Sequence, residues 1–114
     1  MSEEKGMQST DLISIMKHIG KRYTFTADHY PILSLLNHDQ KMAFTVSHSA
    51  HHMSKSLGKI SAECEAFDHG GELNKATLEE ATVKIFISVI KLAEELGMTA
   101  ADMCEKIPTY MRNK

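Results

Sequence analysis

The strongest structural signal in this chain lies in residues 37–71, which read NHDQKMAFTVSHSAHHMSKSLGKISAECEAFDHGG. Asn37 precedes Gln40 by three residues, which is the spacing of a capping box at a helix start. Apolar side chains then recur at alternating intervals of four and three: Val46, Ala50, Met53, Leu57, Ile60, Cys64 and Phe67. This pattern predicts one long helix that packs along a partner helix and ends at Gly70 and Gly71.

A second segment repeats the pattern and supplies that partner. Thr77 followed by Glu80 predicts another capped start. The four-three spacing continues through Leu78, Thr82, Ile85, Val89, Leu92 and Leu96, beside a parallel stripe of Val83, Phe86, Ile90 and Ala93. Gly97 ends the segment. The sequence therefore predicts an all-α fold built on a long antiparallel helical hairpin, with residues 38–69 packed against 78–96.

Shorter elements flank the hairpin. The spacing from Thr10 to Ile19 predicts a short amphipathic helix stopped by Gly20, and Thr99 with Asp102 predicts a last helix stopped by Pro108. Residues 21–26 alternate polar and aromatic types and favour a connector, whereas 31–36 fits either a turn of helix or an extended run. We expect a flexible segment over 1–8 and a single domain over 9–114.

Composition narrows the class of protein. The chain has 114 residues, 42% of them hydrophobic and 25% charged, with a net charge of −2. These values are typical of one globular domain, and no apolar run reaches the roughly 20 residues of a membrane span. We expect a cytoplasmic protein without a membrane or DNA partner.

Cys64 and Cys104 lie among apolar residues and are predicted to be buried thiols. The wide apolar arc of residues 78–96 favours a homo-oligomer.

The polar side of the long helix carries the chemical candidates, namely His48, His51, His52, Lys55, Lys59 and Glu63. Three interpretations stay open. His48 and His52 have the i, i+4 spacing with which one helix supplies two imidazoles to a metal. Lys55 and Lys59, with His51 or His52 as donors, would suit an anion or phosphate. The third interpretation is a solvated or subunit-contacting face.

Four segments of the hairpin and the last helix also carry a family likeness: LGKISAECE at 57–65, EEATVKI at 79–85, KLAEELGMT at 91–99 and EKIP at 105–108. In these segments the chain resembles the MazG-like, all-α nucleoside triphosphate pyrophosphohydrolases. The resemblance implies a MazG-like bundle that acts on a nucleotide or another phosphorylated small molecule. It also implies Mg²⁺ held by an ExxE motif on one arm and an ExxD motif on the other.

Carried over residue by residue, the resemblance implies catalytic roles for Glu63 and Glu80 and metal-ligand roles for Glu63, Glu79 and Glu80. His52, Lys55, Lys59 and Lys84 are the candidates for contacts to the phosphates. The acidic motifs are incomplete, because Ala66 stands at the second glutamate position of the first arm. Ala81 and Lys84 stand at the two acidic positions of the second arm.

Folding the hairpin near Leu73 would bring Glu63 opposite Lys84, which predicts an ion pair in place of the metal ligands. Three hypotheses follow from these residues: a divergent metal-dependent pyrophosphohydrolase, a non-catalytic module that binds a phosphorylated small molecule, and a helical oligomer that acts as an interaction or regulatory protein.

Overall fold

The computed structural model describes residues 12–22 and 28–111. In chain order these residues form α1 (Leu12–Arg22), a 3₁₀ helix (Pro31–Leu35), α2 (His38–Asp68), α3 (Lys75–Glu95) and α4 (Ala100–Met111). They contain no β-strand, so the predicted all-α class is confirmed. The predicted boundary between residues 1–8 and 9–114, and most of the connector over 21–26, lie outside the described residues.

Both ends of α2 follow the local sequence signals. The Asn37 side chain accepts the Gln40 N–H at 2.8 Å, and the Asn37 N–H donates to Gln40 Oε1 at 2.9 Å. At the other end Gly70 has a φ of 95°, and the Gly71 N–H returns to the Ala66 carbonyl at 2.9 Å. This is a Schellman ending, which needs a residue that tolerates positive φ. The predicted capping box and glycine stop are confirmed.

The start of α3 lies earlier than predicted. The helix begins at Lys75, and its N-cap is Asn74, whose side chain accepts the Thr77 N–H at 3.1 Å. Thr77 is therefore not the cap, which fits the higher rank of asparagine at this position. Glu63 Oε1 accepts the Asn74 N–H at 2.8 Å across the interhelical loop. The end at Gly97, with a φ of 76°, is as predicted.

α2 and α3 pack as the predicted antiparallel hairpin, but along a different line of residues. The buried side of each arm carries small residues at two levels, Ser49 and Ser56 on α2 and Ala81 and Ser88 on α3. All four are buried, at 3%, 6%, 1% and 9% relative exposure respectively. Small side chains at these levels let the two helices approach closely. Hairpin packing is therefore centred on small residues.

The predicted core stripe of α2 is consequently wrong as a buried face. Leu57 and Phe67 are each 57% exposed, and Cys64 is exposed as well. The stripe lies beside the line along which α2 meets α3, which we call the contact line and which runs through Ser49 and Ser56 on α2. Leu57 and Cys64 are rotated from Ser56 by about 100° and 80° around the helix. Cys104 on α4 is also exposed, so the predicted burial of both thiols is wrong.

The flanking helices extend past two predicted stops. α1 continues through Gly20 to Arg22, and a Cβ at Gly20 would collide with the Glu94 carboxylate. This glycine therefore permits a close approach of α1 to α3. α4 starts with the predicted pair, since the Thr99 N–H donates to Asp102 Oδ2 at 2.9 Å. It runs through Pro108 to Met111, so the predicted stop at Pro108 is wrong.

Residues 31–35 form a short 3₁₀ helix with Leu33 buried, so this segment is helical and not extended. Within residues 12–22 and 28–111, none of the helices combines the length and apolar character that a bilayer crossing requires.

Candidate functional site

The predicted acidic residues lie near the loop end of the hairpin but have separate partners. Glu63 accepts the Asn74 N–H, Glu79 Oε2 lies 3.7 Å from Lys75 Nζ, and Glu80 Oε2 lies 2.8 Å from Lys84 Nζ. The predicted ion pair between Glu63 and Lys84 is therefore wrong. Among the described residues no three His, Cys, Asp or Glu side chains are grouped to hold a metal. Among the described residues, Glu63, Glu79 and Glu80 are thus not brought together as one group.

Four predicted phosphate contacts share one side of the hairpin, which we call the basic face: His52, Lys55, Lys59 and Lys84. On α2, His52, Lys55 and Lys59 are rotated by about 40–100° around the helix from Ser56, all to the same side of the contact line. Lys84 joins them across the hairpin through Glu80. The hydrogen bond from Lys84, its charge and the charge of Lys59 all hold the pKa of Glu80 below its usual value.

Around this glutamate the basic face keeps a positive balance. Glu80 pairs with Lys84, and the charge of Lys59 acts on the same carboxylate. Lys55 lies one turn before Lys59 on the same side of α2 and is exposed. Lysine ammonium groups on an accessible surface are suited to phosphate oxygens.

An aromatic and imidazole group, which we call the imidazole cluster, adjoins the basic face: Tyr30, Phe44, His48 and His52. His48 Nε2 lies 3.0 Å from the Tyr30 hydroxyl and 3.0 Å from His52 Nε2. The Phe44 ring stacks on His48 with ring centroids 5.5 Å apart, and Tyr30 meets both rings edge-on. The cluster thus joins the start of the 3₁₀ helix to the first half of α2.

This packing changes the acid–base behaviour of His48. Burial lowers the pKa of His48, and the neighbouring His52 and His51 lower it further. The neutral imidazole is therefore favoured at pH 7, and it is the form that accepts a hydrogen bond or a metal ion. His51 stands apart from the cluster, with its Nε2 3.2 Å from the Ser47 hydroxyl.

The opposite side of the hairpin carries an apolar face made of Met53, Leu57, Ile60 and Cys64 on α2 with Leu78, Phe86 and Val89 on α3. These residues lie on the other side of the contact line from the basic face, by the same helical arithmetic. Leu57 and Phe86 are 57% and 44% exposed. Both arms therefore contribute to an apolar surface, whereas the sequence pointed chiefly to the second arm.

The fold and this site define an all-α protein organised on a helical hairpin. No known protein family, curated protein or solved structure matches this chain.

Two members of the imidazole cluster were missed by sequence reasoning. Phe44 stands four residues before His48, so helical spacing alone could have placed its ring beside that imidazole. Tyr30 is 18 residues from His48. Its position depends on the fold of the segment before α2, for which the sequence offered no specific signal.

Proposed function

We propose that this chain is a MazG-like helical protein that binds the phosphate groups of a nucleotide on its basic face. The observation that carries the proposal is the 2.8 Å ion pair of Glu80 with Lys84, on the side of the hairpin where helical spacing also puts Lys55 and Lys59, so that both arms contribute cations to one accessible surface. The MazG-like resemblance of the hairpin supports a nucleotide as the ligand. The separate partners of Glu63, Glu79 and Glu80 favour binding over hydrolysis.

The test is a titration of the chain with nucleoside mono- and triphosphates at low ionic strength. Lys59→Glu replaces a phosphate donor by a repelling charge and should weaken binding about 10- to 100-fold, the range expected for losing a charge-assisted contact. Lys41→Glu is the matched control, because Lys41 is exposed on the same helix and far from Lys59. Equal affinities for the two variants would reject the basic face as the site.

Hydrolysis is tested in the same preparations with Mg²⁺ present. If the chain splits nucleoside triphosphates, pyrophosphate release should depend on Glu63 and Glu80, so Glu63→Gln and Glu80→Gln should abolish it. Glu105→Gln on α4 is the control, since Glu105 is exposed and distant in sequence from the hairpin loop. Nucleotide binding without any pyrophosphate release would assign the chain to the non-catalytic binding class.

A second candidate function is a homo-oligomeric interaction protein, and the apolar face favours it. The buried hydrophobic residues of the described chain are Ile19, Leu33, Ala81, Ile90 and Ala93. The radius of gyration is 16.8 Å, whereas a compact domain of this length has about 13 Å, so the single chain is more extended than a compact domain. A second hairpin is the natural complement of a two-helix apolar stripe, because the pair would form a four-helix bundle.

Leu57→Glu, with its charge at the centre of the apolar face, should shift the chain from dimer to monomer in sedimentation equilibrium. The matched control is Ile32→Glu, because Ile32 is 53% exposed but lies on the 3₁₀ helix. A wild-type chain that sediments as a monomer would exclude this candidate.

A further inference from the structure

Two side-chain atoms approach His48 Nε2 within the imidazole cluster. The Nε2 atoms of His48 and His52 are 3.0 Å apart, and the Tyr30 hydroxyl lies 3.0 Å from the same His48 nitrogen. The two histidines are held one turn apart on α2, well inside that helix. Tyr30 is held by its ring contacts with Phe44 and His48, whose centroids lie 5.4 and 4.9 Å away.

His48 Nε2 has two close neighbours that carry lone pairs, the Tyr30 hydroxyl and His52 Nε2. A neutral imidazole nitrogen offers either one lone pair or one N–H. His48 Nε2 therefore serves the Tyr30 hydroxyl and His52 Nε2 with a single lone pair or a single hydrogen. A cation seated among the three atoms would instead accept a lone pair from each of them.

We propose that Tyr30, His48 and His52 form a binding site for a divalent transition-metal ion of the imidazole-preferring class, which includes Ni²⁺, Cu²⁺ and Zn²⁺. Nitrogen ligands and a phenol oxygen suit these ions, whereas Mg²⁺ requires oxygen ligands. The site is thus chemically distinct from any carboxylate site at the hairpin loop. It uses residues of the described chain only, and it does not depend on the proposed nucleotide function.

The distance between the two imidazole nitrogens fits such an ion. Metal–imidazole bonds of about 2.0–2.1 Å to two nitrogens 3.0 Å apart subtend an angle of about 90–100° at the metal. An angle of this size is the one between adjacent ligands in a square-planar or octahedral site, and Cu²⁺ and Ni²⁺ prefer these geometries. A small opening of the two rings would reach the wider tetrahedral angle of Zn²⁺.

The surroundings of the cluster also favour a metal. Phe44 stacks on His48 at 5.5 Å and fixes the orientation of that ring, so little freedom is lost when a metal binds. His52 is exposed, so an ion can enter from solvent and keep open positions for water or another ligand.

The experiment titrates the full-length chain, without a histidine tag, with Ni²⁺, Cu²⁺ and Zn²⁺ against a chromogenic chelator. We expect one equivalent of metal at the site. His52→Gln should weaken that binding at least about 10-fold, and His48→Gln should do the same. His51→Gln is the matched control, because His51 is adjacent in sequence but bonds Ser47 instead, and its affinity should stay within about twofold of wild type.

A second readout guards against a folding artefact in His48→Gln. His52 is exposed, so its substitution should leave the helical circular dichroism unchanged, and its affinity loss is then specific. Tyr30→Phe should lose the ultraviolet difference signal of a metal-bound tyrosine and weaken binding several-fold. Wild-type affinity in His52→Gln, or an equal loss in His51→Gln, would overturn the proposal. The nucleotide proposal is tested through Lys59→Glu, which changes no residue of the metal site, so the two proposals fail separately.

Discussion

Ser49→Ala should stabilise the protein, although it removes a polar group from a buried position in the hairpin. The Ser49 side-chain oxygen is buried and has no hydrogen-bond partner among the described residues. A buried polar atom without a partner costs about 1–3 kcal/mol, because water is lost and nothing replaces it. Alanine removes that cost, and the small void left by the oxygen destabilises the protein by only a few tenths of a kcal/mol.

Any serine-to-alanine change inside a helix also stabilises the protein by about 0.5 kcal/mol, because alanine has the higher helix propensity. This contribution must be subtracted. Ser54→Ala provides the subtraction, since Ser54 lies on the same helix and is exposed. The difference between the two variants isolates burial, and we expect it to be about 1–2 kcal/mol in favour of Ser49→Ala. In thermal unfolding this corresponds to about 4–8 °C for a domain near this size.

The assay is urea unfolding followed by circular dichroism, with thermal melts as a second measure. Both variants should unfold with the same m-value, which shows that the surface exposed on unfolding is unchanged. If Ser49→Ala gains no more stability than Ser54→Ala, the Ser49 hydroxyl is satisfied in solution. The close serine-lined contact described for α2 and α3 would then be incorrect.

Three further predictions concern local features. Gly70→Ala should cost about 1–2 kcal/mol because φ is 95° there, whereas Gly58→Ala, inside α2 with open space around it, should gain about 0.5–1 kcal/mol; opposite signs in urea unfolding test both. Asn74→Ala should cost about 1 kcal/mol through the lost cap of α3, and Asn74→Ser should restore most of it. Since burial, His52 and His51 lower the pKa of His48 in the folded chain, the unfolded chain takes up the proton first, and stability should fall as pH drops below about 6.5. His48→Gln should reduce that pH dependence in urea midpoints, and an unchanged slope would contradict it.

The sequence predicted the features that depend on local chemistry. The capping box at Asn37, the capping pair at Thr99 and the glycine endings at Gly70 and Gly97 involve residues within a few positions of each other. Such contacts need no knowledge of the tertiary structure. The start of α3 was misplaced because two adjacent cap signals competed, and Asn74 took the cap with support from Glu63 across the loop.

The buried side of α2 was not predictable in the same way. Apolar periodicity identified the stripe through Leu57 and Cys64, but the helices meet along Ser49 and Ser56 instead. Contact between helices depends on how closely their backbones approach, and small residues on both partners permit the closest approach. Periodicity records where apolar side chains lie and carries no information about the size of the residues on the facing helix, such as Ala81.

The candidate site was predicted in part for a related reason. His52, Lys55 and Lys59 share a side of α2 by spacing alone, so the sequence could group them. Lys84 joins them through Glu80, and that pairing of i and i+4 residues replaced the predicted contact with Glu63. Helical neighbours reach each other at lower entropic cost than residues on two helices, since their separation is fixed by the helix itself.

The two long sides of the hairpin have different chemistry, and this bears on how the proposals combine. The basic face and the imidazole cluster lie on one side of the contact line, while Leu57 and Phe86 lie on the other. Association through the apolar face would therefore leave Lys59 and His52 accessible to ligands. A charge at Leu57 should then change the oligomeric state without changing phosphate or metal affinity, because no atom of the apolar face contributes to either proposed site.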